Sequence, residues 1–139
     1  MVSKSNLIFS KIAASRLLSV DINLIADFRI FFRVCWVWIR GSRPRFISKR
    51  LFTKHFSEHR QQQGRQLTAK AWPEVPDWYT VENTHKGTSY PVVLNPSGPD
   101  CDCEDYRNQI AILGKGVCKH GYAVLSKLGF GSLSAYLAA

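Results

Sequence analysis

Three of the chain's four cysteines and one of its four histidines lie in CDCEDYRNQIAILGKGVCKH, Cys101 to His120. They form two matched pairs, Cys101-Asp102-Cys103 and Cys118-Lys119-His120, separated by fourteen residues. Thiolate and imidazole are zinc ligands, and tetrahedral zinc holds sulfurs about 2.3 Å away and so about 3.8 Å from one another. In extended chain, residues i and i+2 project to the same side, so Cys101 and Cys103 can reach one ion together. On a regular helix, residues two apart point about 200° from each other. Cys118 must therefore lie at or before a helix start, with His120 in the first turn and Gly116 upstream allowing a tight approach. A thiolate so placed is near the positive end of the helix dipole, which favours its metal-binding form.

Other chemistries fit these residues less well. A disulfide between Cys101 and Cys103 would close a strained ring. A Cys118–His120 nucleophile and base pair leaves Cys101 and Cys103 unexplained, and no third residue to orient the base is evident. Iron and copper share the ligand types, but three cysteines and a histidine with no open position favour zinc. The expectation is one structural Zn2+ held by Cys101, Cys103, Cys118 and His120, and no catalysis. Three thiolates, a neutral imidazole and Zn2+ sum to a single negative charge, which Lys119, Lys115 or backbone N–H donors to sulfur would offset. His55, Glu58 and His59 do not form a zinc-protease helix. That needs His-Glu-x-x-His, whereas position 56 is Phe and the Glu adjoins the second His.

The elements that must hold this centre are read from periodicity and turn chemistry. WYTVEN, residues 78–83, and SYPVVLN, 89–95, read as strands joined through a turn at Lys86-Gly87, with Pro91 marking the second as an edge strand or bulged. NPSGPD, 95–100, reads as a turn delivering the chain to Cys101. EDYRNQIAIL adds a short helix with Tyr106 and Ile110 inward. From Cys118 a helix carries Tyr122, Leu125 and Leu128 and stops at Gly129. SLSAYLAA adds a last helical turn.

Upstream, residues 20–39 read as a helix, with Leu24, Ile25, Phe28, Phe31, Phe32, Cys35 and Trp36 at three- and four-residue steps, although its last residues, VCWVWI, are also good strand formers. Cys35 belongs to that stripe as a small buried hydrophobe. GSRPR, 41–45, breaks the pattern, and a short basic helix follows within FISKRLFTKHFSEHRQQQGRQL. QQQGRQLTAKAWPEVP then reads as a linker, which places the division near residue 70. The expected fold is α+β: a basic, mainly helical segment over 1–70 and a small ββα zinc-binding unit within 71–139.

Charge divides at the same place. Residues 1–70 hold fourteen Lys and Arg against Asp21, Asp27 and Glu58, a net +11, while 71–139 carry a net −2. A basic half suits a polyanion, nucleic acid before a membrane surface. No segment reads as transmembrane, because Asp27, Arg29 and Arg33 interrupt the most apolar run, 22–39. Metal-binding thiols suit a reducing compartment, cytoplasmic or nuclear and nucleoid-associated. Residues 1–20, Ser-rich with Lys4, Lys11 and Arg16, weakly resemble an organelle transit peptide.

The C-x-C and C-x-H pairs, taken with their flanks, resemble the SWIM zinc finger. Trp78-Tyr79-x-Val81, the Tyr90–Leu94 strand, Cys101-Asp102-Cys103-x-Asp105-Tyr106 and Cys118-Lys119-His120-x-x-Ala123-Val124-Leu125 follow that family's order over roughly residues 78–128. The resemblance implies a ββα unit around one zinc with the four ligands above. It also implies nucleic-acid binding or protein–protein contacts rather than catalysis, and no nuclease, helicase or ligase signature is present. The expected function is nucleic-acid binding, with Lys115, Lys119 and Lys127 as a local basic patch. The alternative is a protein-interaction module using the zinc unit and the N-terminal aromatic helix. A weaker reading lays that helix on a membrane surface.

Overall fold

The computed structural model describes residues 3–139, a mixed α+β fold in two compact units that divide between Glu58 and His59. Residue 70, where composition and charge suggested a division, lies inside a strand. Among the described residues no helix is long and apolar enough to cross a membrane.

The first unit begins with two short helices, α1 (Lys4–Ile8) and α2 (Lys11–Leu18). Ser10 caps α2 by accepting the Ala13 N–H. A three-stranded antiparallel sheet follows, β1 (Ile25–Ile30), β2 (Val34–Ile39) and β3 (Arg45–Ser48), in that order. The helix expected over 20–39 therefore does not form. Phe31, Phe32 and Arg33 make the turn between two paired strands, and Ile30 stands opposite Cys35. β-branched and aromatic residues fit a pleated surface, and β2 alternates in burial as a strand does. Ile25, Cys35, Val37, Ile39 and Ile47 are buried, and α2 packs against β1. Phe52 of α3 (Lys49–Arg65) is fully buried, its ring edge-on to Phe9 and Phe28 at 6.0 Å each. Phe46, the first residue of the stretch expected to hold a short basic helix, belongs to β3 and is exposed.

The second unit contains the end of α3 and a four-stranded antiparallel meander. Its strands are β4 (Thr68–Ala71), β5 (Trp78–Asn83), β6 (Thr88–Asn95) and β7 (Gly98–Cys101). Of the stretch expected to be a linker, residues 61–76, the first part is helix to Arg65 and then the strand Thr68–Ala71, and only the part from Trp72 on is irregular. Gly64 lies within α3, where an added Cβ would come 2.8 Å from the Lys119 carbonyl oxygen. The glycine permits a close helix approach and does not mark a flexible joint. β6 is a central strand and pairs with β5 in unbroken register, so neither the edge position nor the bulge expected from Pro91 is found. Pro91 pairs with Thr80 but lies one residue beyond the β7 ladder, which starts at Val92, so its missing N–H costs that ladder nothing.

Three helices complete the unit: α4 (Glu104–Leu113), α5 (Lys119–Lys127) and α6 (Leu133–Ala138). α5 packs across the sheet, and its buried residues are His120, Gly121, Ala123, Val124 and Leu125. Leu128, expected on that face, is exposed. Gly129 at φ 88° ends α5, and the Phe130 N–H reaches back to the Leu125 carbonyl at 2.8 Å. Tyr79, Val81, Val92, Leu94 and Val124 form one core, and Cys101, Cys103 and Cys118 belong to it.

Candidate metal centre

Each ligand position follows from an element boundary. β7 ends at Cys101, and one residue later the chain turns into α4 with Cys103 as its N-cap. Cys118 is the N-cap of α5, and His120 is the second residue of that helix. This is the placement that the 200° argument demands. Both helices point their positive ends at the sulfurs, which stabilises thiolate. Backbone donors reinforce them: the Tyr106 N–H reaches Cys103 Sγ and the Gly121 N–H reaches Cys118 Sγ, each at 3.4 Å.

One ligand atom from each of Cys101, Cys103, Cys118 and His120 lies within 4.8 Å of every other, and all four residues are buried. His120 turns Nδ1 toward the group, 3.8 Å from Cys101 Sγ and 3.7 Å from Cys118 Sγ. Its ring lies 4.5 Å from that of Tyr90. A tetrahedral shell of about 3.8 Å between sulfurs requires the set to contract by no more than about 1 Å. Buried soft donors, close enough to share one ion and supported by N–H groups, fit a metal of the zinc type.

The three thiols hold charge unequally. Hydrogen bonding from Cys101 first, and then from Cys118, holds Cys103 well below the usual thiol range. The hydrogen bond with Cys103 pushes Cys101 up to about 12. Cys118 is also pushed up, first by its bond with Cys101. A dication would bring all three to thiolate and expel about two protons. Cys35 stands apart in the first unit, fully buried, its thiol raised by desolvation.

The two arms are joined by a polar relay that periodicity does not reveal. Gln109, not Ile110, is the buried residue of α4; Ile110 is exposed, while Tyr106 packs against the core. The Gln109 amide donates to the Val117 carbonyl at 3.1 Å and accepts the Val117 N–H at 3.1 Å. Both backbone groups of the residue before Cys118 are thus held by a side chain from the Cys103 arm. Gln109 also donates to Asp105 Oδ2 at 3.0 Å. Arg60 grips the same carboxylate with two bonds, of 2.9 and 2.8 Å. Gly116 is needed beside this relay, because an added Cβ would fall on the Gln109 side chain, 2.7 Å from its Cβ. The available sequence signal was the i, i+4 spacing of Asp105 and Gln109. A polar residue in a helix is ordinarily read as solvent-facing.

The three lysines considered for nucleic-acid contact are dispersed. Lys115 is exposed in the loop between α4 and α5. Lys119 and Lys127 are the first and last residues of α5, about 12 Å apart along its axis. Lys119 also lines an open cleft of about 290 Å³ with Gln63, Gln66, His85 and Lys86. No protein-family model matches the chain, and comparison with curated proteins and with solved structures finds no match.

Proposed function

We propose that the chain is a SWIM-type zinc protein without catalytic activity, acting on nucleic acid as a binding protein. Residues 71–139 supply its zinc-binding portion and 1–70 its basic portion. The observation that carries this reading is the convergence of four buried Cys and His ligand atoms within 4.8 Å. The order of elements supports the family assignment. β5 and β6 precede a C-x-C at the end of β7, and a C-x-H opens α5. Cys101, Cys103, Cys118 and His120 would hold one Zn2+, and the ion would tie the β7–α4 arm to the start of α5. Four protein ligands leave no position for water or substrate, which supports a structural role.

The partner is read from charge. A net +11 over residues 1–70 suits phosphate contacts, whereas the zinc portion is slightly acidic. A reducing compartment, cytoplasmic or nuclear and nucleoid-associated, keeps the thiols available. A second reading, docking of a protein partner, is favoured by the exposure of Phe32, Phe46 and Trp38. Titrating a labelled oligonucleotide with the zinc-loaded chain at several salt concentrations separates the two. Contacts to about four phosphates predict a loss on the order of 100-fold between about 50 and 200 mM salt. Absence of binding, or binding indifferent to salt, would remove nucleic acid as the partner.

A further inference from the structure

We infer that the outer face of the β1–β2–β3 sheet is a stacking platform for single-stranded nucleic acid; the inference rests on the nucleic-acid reading above and names its surface. Side chains alternate across a sheet. Cys35, Val37, Ile39 and Ile47 take the inner face, so Trp36, Trp38 and Phe46 take the outer one. The register makes a row of them, because Arg29 stands opposite Trp36 and Trp36 opposite Phe46. Phe31 and Phe32 extend the row at the β1–β2 turn, with the Phe31 and Phe46 rings 6.5 Å apart. Phe32 is 87 % exposed and Phe46 68 %. Solvated rings of that size on a small unit are costly unless something covers them.

The cations on this face point to the occupant. The Arg29 guanidinium lies 5.6 Å from the Trp36 ring and that of Arg33 5.9 Å from the Phe32 ring. Arg40 and Arg43 are exposed at the β2–β3 end, whereas Arg45, opposite Val37, falls on the inner side of the sheet. Over residues 25–44 there are four arginines against one acid, Asp27, which pairs with Arg29 at 3.2 Å. Aromatic rings and arginine also occur together in protein–protein interfaces, so it is the excess of cations over acids along this face that favours a phosphate-bearing partner. Rings interleaved with guanidinium groups match an unpaired strand, whose bases offer π-faces and whose phosphates run alongside. A duplex hides those faces within its own stack, so the platform discriminates against it.

The test uses the full zinc-loaded chain, a labelled oligo(dT) of about 15 nucleotides, and a duplex of equal length as competitor. Trp38→Ala and Phe46→Ala truncate exposed rings, and far-UV circular dichroism with zinc content confirms that each variant folds. The expected results are preference for the single strand and quenching of tryptophan fluorescence on binding. Each truncation should weaken binding about tenfold while leaving the salt slope unchanged, since stacking releases no counterions. Arg43→Gln should reduce the slope by about one. If the chain binds oligo(dT) and both ring variants bind it equally well, the sheet-face assignment falls and the nucleic-acid reading stands. If the chain binds neither form, both fall. Equal affinity for duplex, equal capture by anionic phosphatidylserine vesicles, or a chain dimer that Phe46→Ala dissolves would each overturn the platform.

Discussion

Gln109→Leu is the sharpest probe of how the two ligand arms are held. Leucine has nearly the volume of glutamine, so the change removes three hydrogen bonds without opening a large cavity. It strands the Val117 N–H and carbonyl, and Val117 is only 4 % exposed. Each buried group left unpaired costs about 1–3 kcal/mol. A buried leucine returns about 1.5–3 kcal/mol of that. Mid-range values, about 4 kcal/mol lost against about 2 returned, leave a net loss of about 2 kcal/mol in unfolding free energy at fixed free zinc. Zinc affinity should fall about 10- to 100-fold, because the residue before Cys118 is no longer fixed. Gln109→Glu should do at least as much harm, since it turns a carboxylate oxygen toward the Val117 carbonyl and the Asp105 carboxylate. Competition with a chromogenic chelator reads the affinity, and urea unfolding reads the stability. A Gln109→Leu variant within threefold of the native affinity and within about 0.5 kcal/mol of its stability would refute the clamp.

Further expectations concern the rest of the site. Arg60→Met removes both bonds to Asp105 and should cost about 1–3 kcal/mol in the same urea experiment, with zinc affinity reduced less than by Gln109→Leu. Zinc binding should release protons. Cys101, pushed up to about 12, and Cys118, also pushed up, should hold their protons at neutral pH, and Cys103, held low by its hydrogen bonds with them, should carry the negative charge of the group. About two protons per zinc should appear in a weakly buffered indicator assay, so affinity should fall as pH falls, by about 100-fold per unit near neutrality. Release of no protons would contradict this charge distribution.

The clustering of Cys101, Cys103, Cys118 and His120 was legible because donor chemistry is local. Two residues of extended chain and the first turn of a helix each fix a pair of donors, and both pairs carry the donors in their own letters. β5, β6 and their turn were legible for the same reason, since alternation and Lys86-Gly87 are short-range signals. The first sheet was not. Phe28, Phe31, Phe32 and Cys35 fall at helical spacing because a three-residue turn separates two strands, and a single-chain pattern cannot distinguish that from a helix face. β4 and β7 were hidden as well: TAKA and GPDC have little strand propensity and form through pairing with β5 and β6. Gln109 and Arg60 were hidden because their partners, Val117 and Asp105, are chosen by tertiary approach.

The account depends most directly on one ion held by four named residues, and metal content measures that. The purified, untagged chain should contain about one zinc per molecule by elemental analysis. Cys118→Ser should lose it and Cys35→Ser should keep it. Because Cys101, Cys103 and Cys118 are part of the core, Cys103→Ala and His120→Ala should also leave residues 78–128 largely unfolded. A folded chain without metal, or a Cys118→Ser variant that retains its zinc, would contradict the account and return Cys118 and His120 to consideration as a reactive pair.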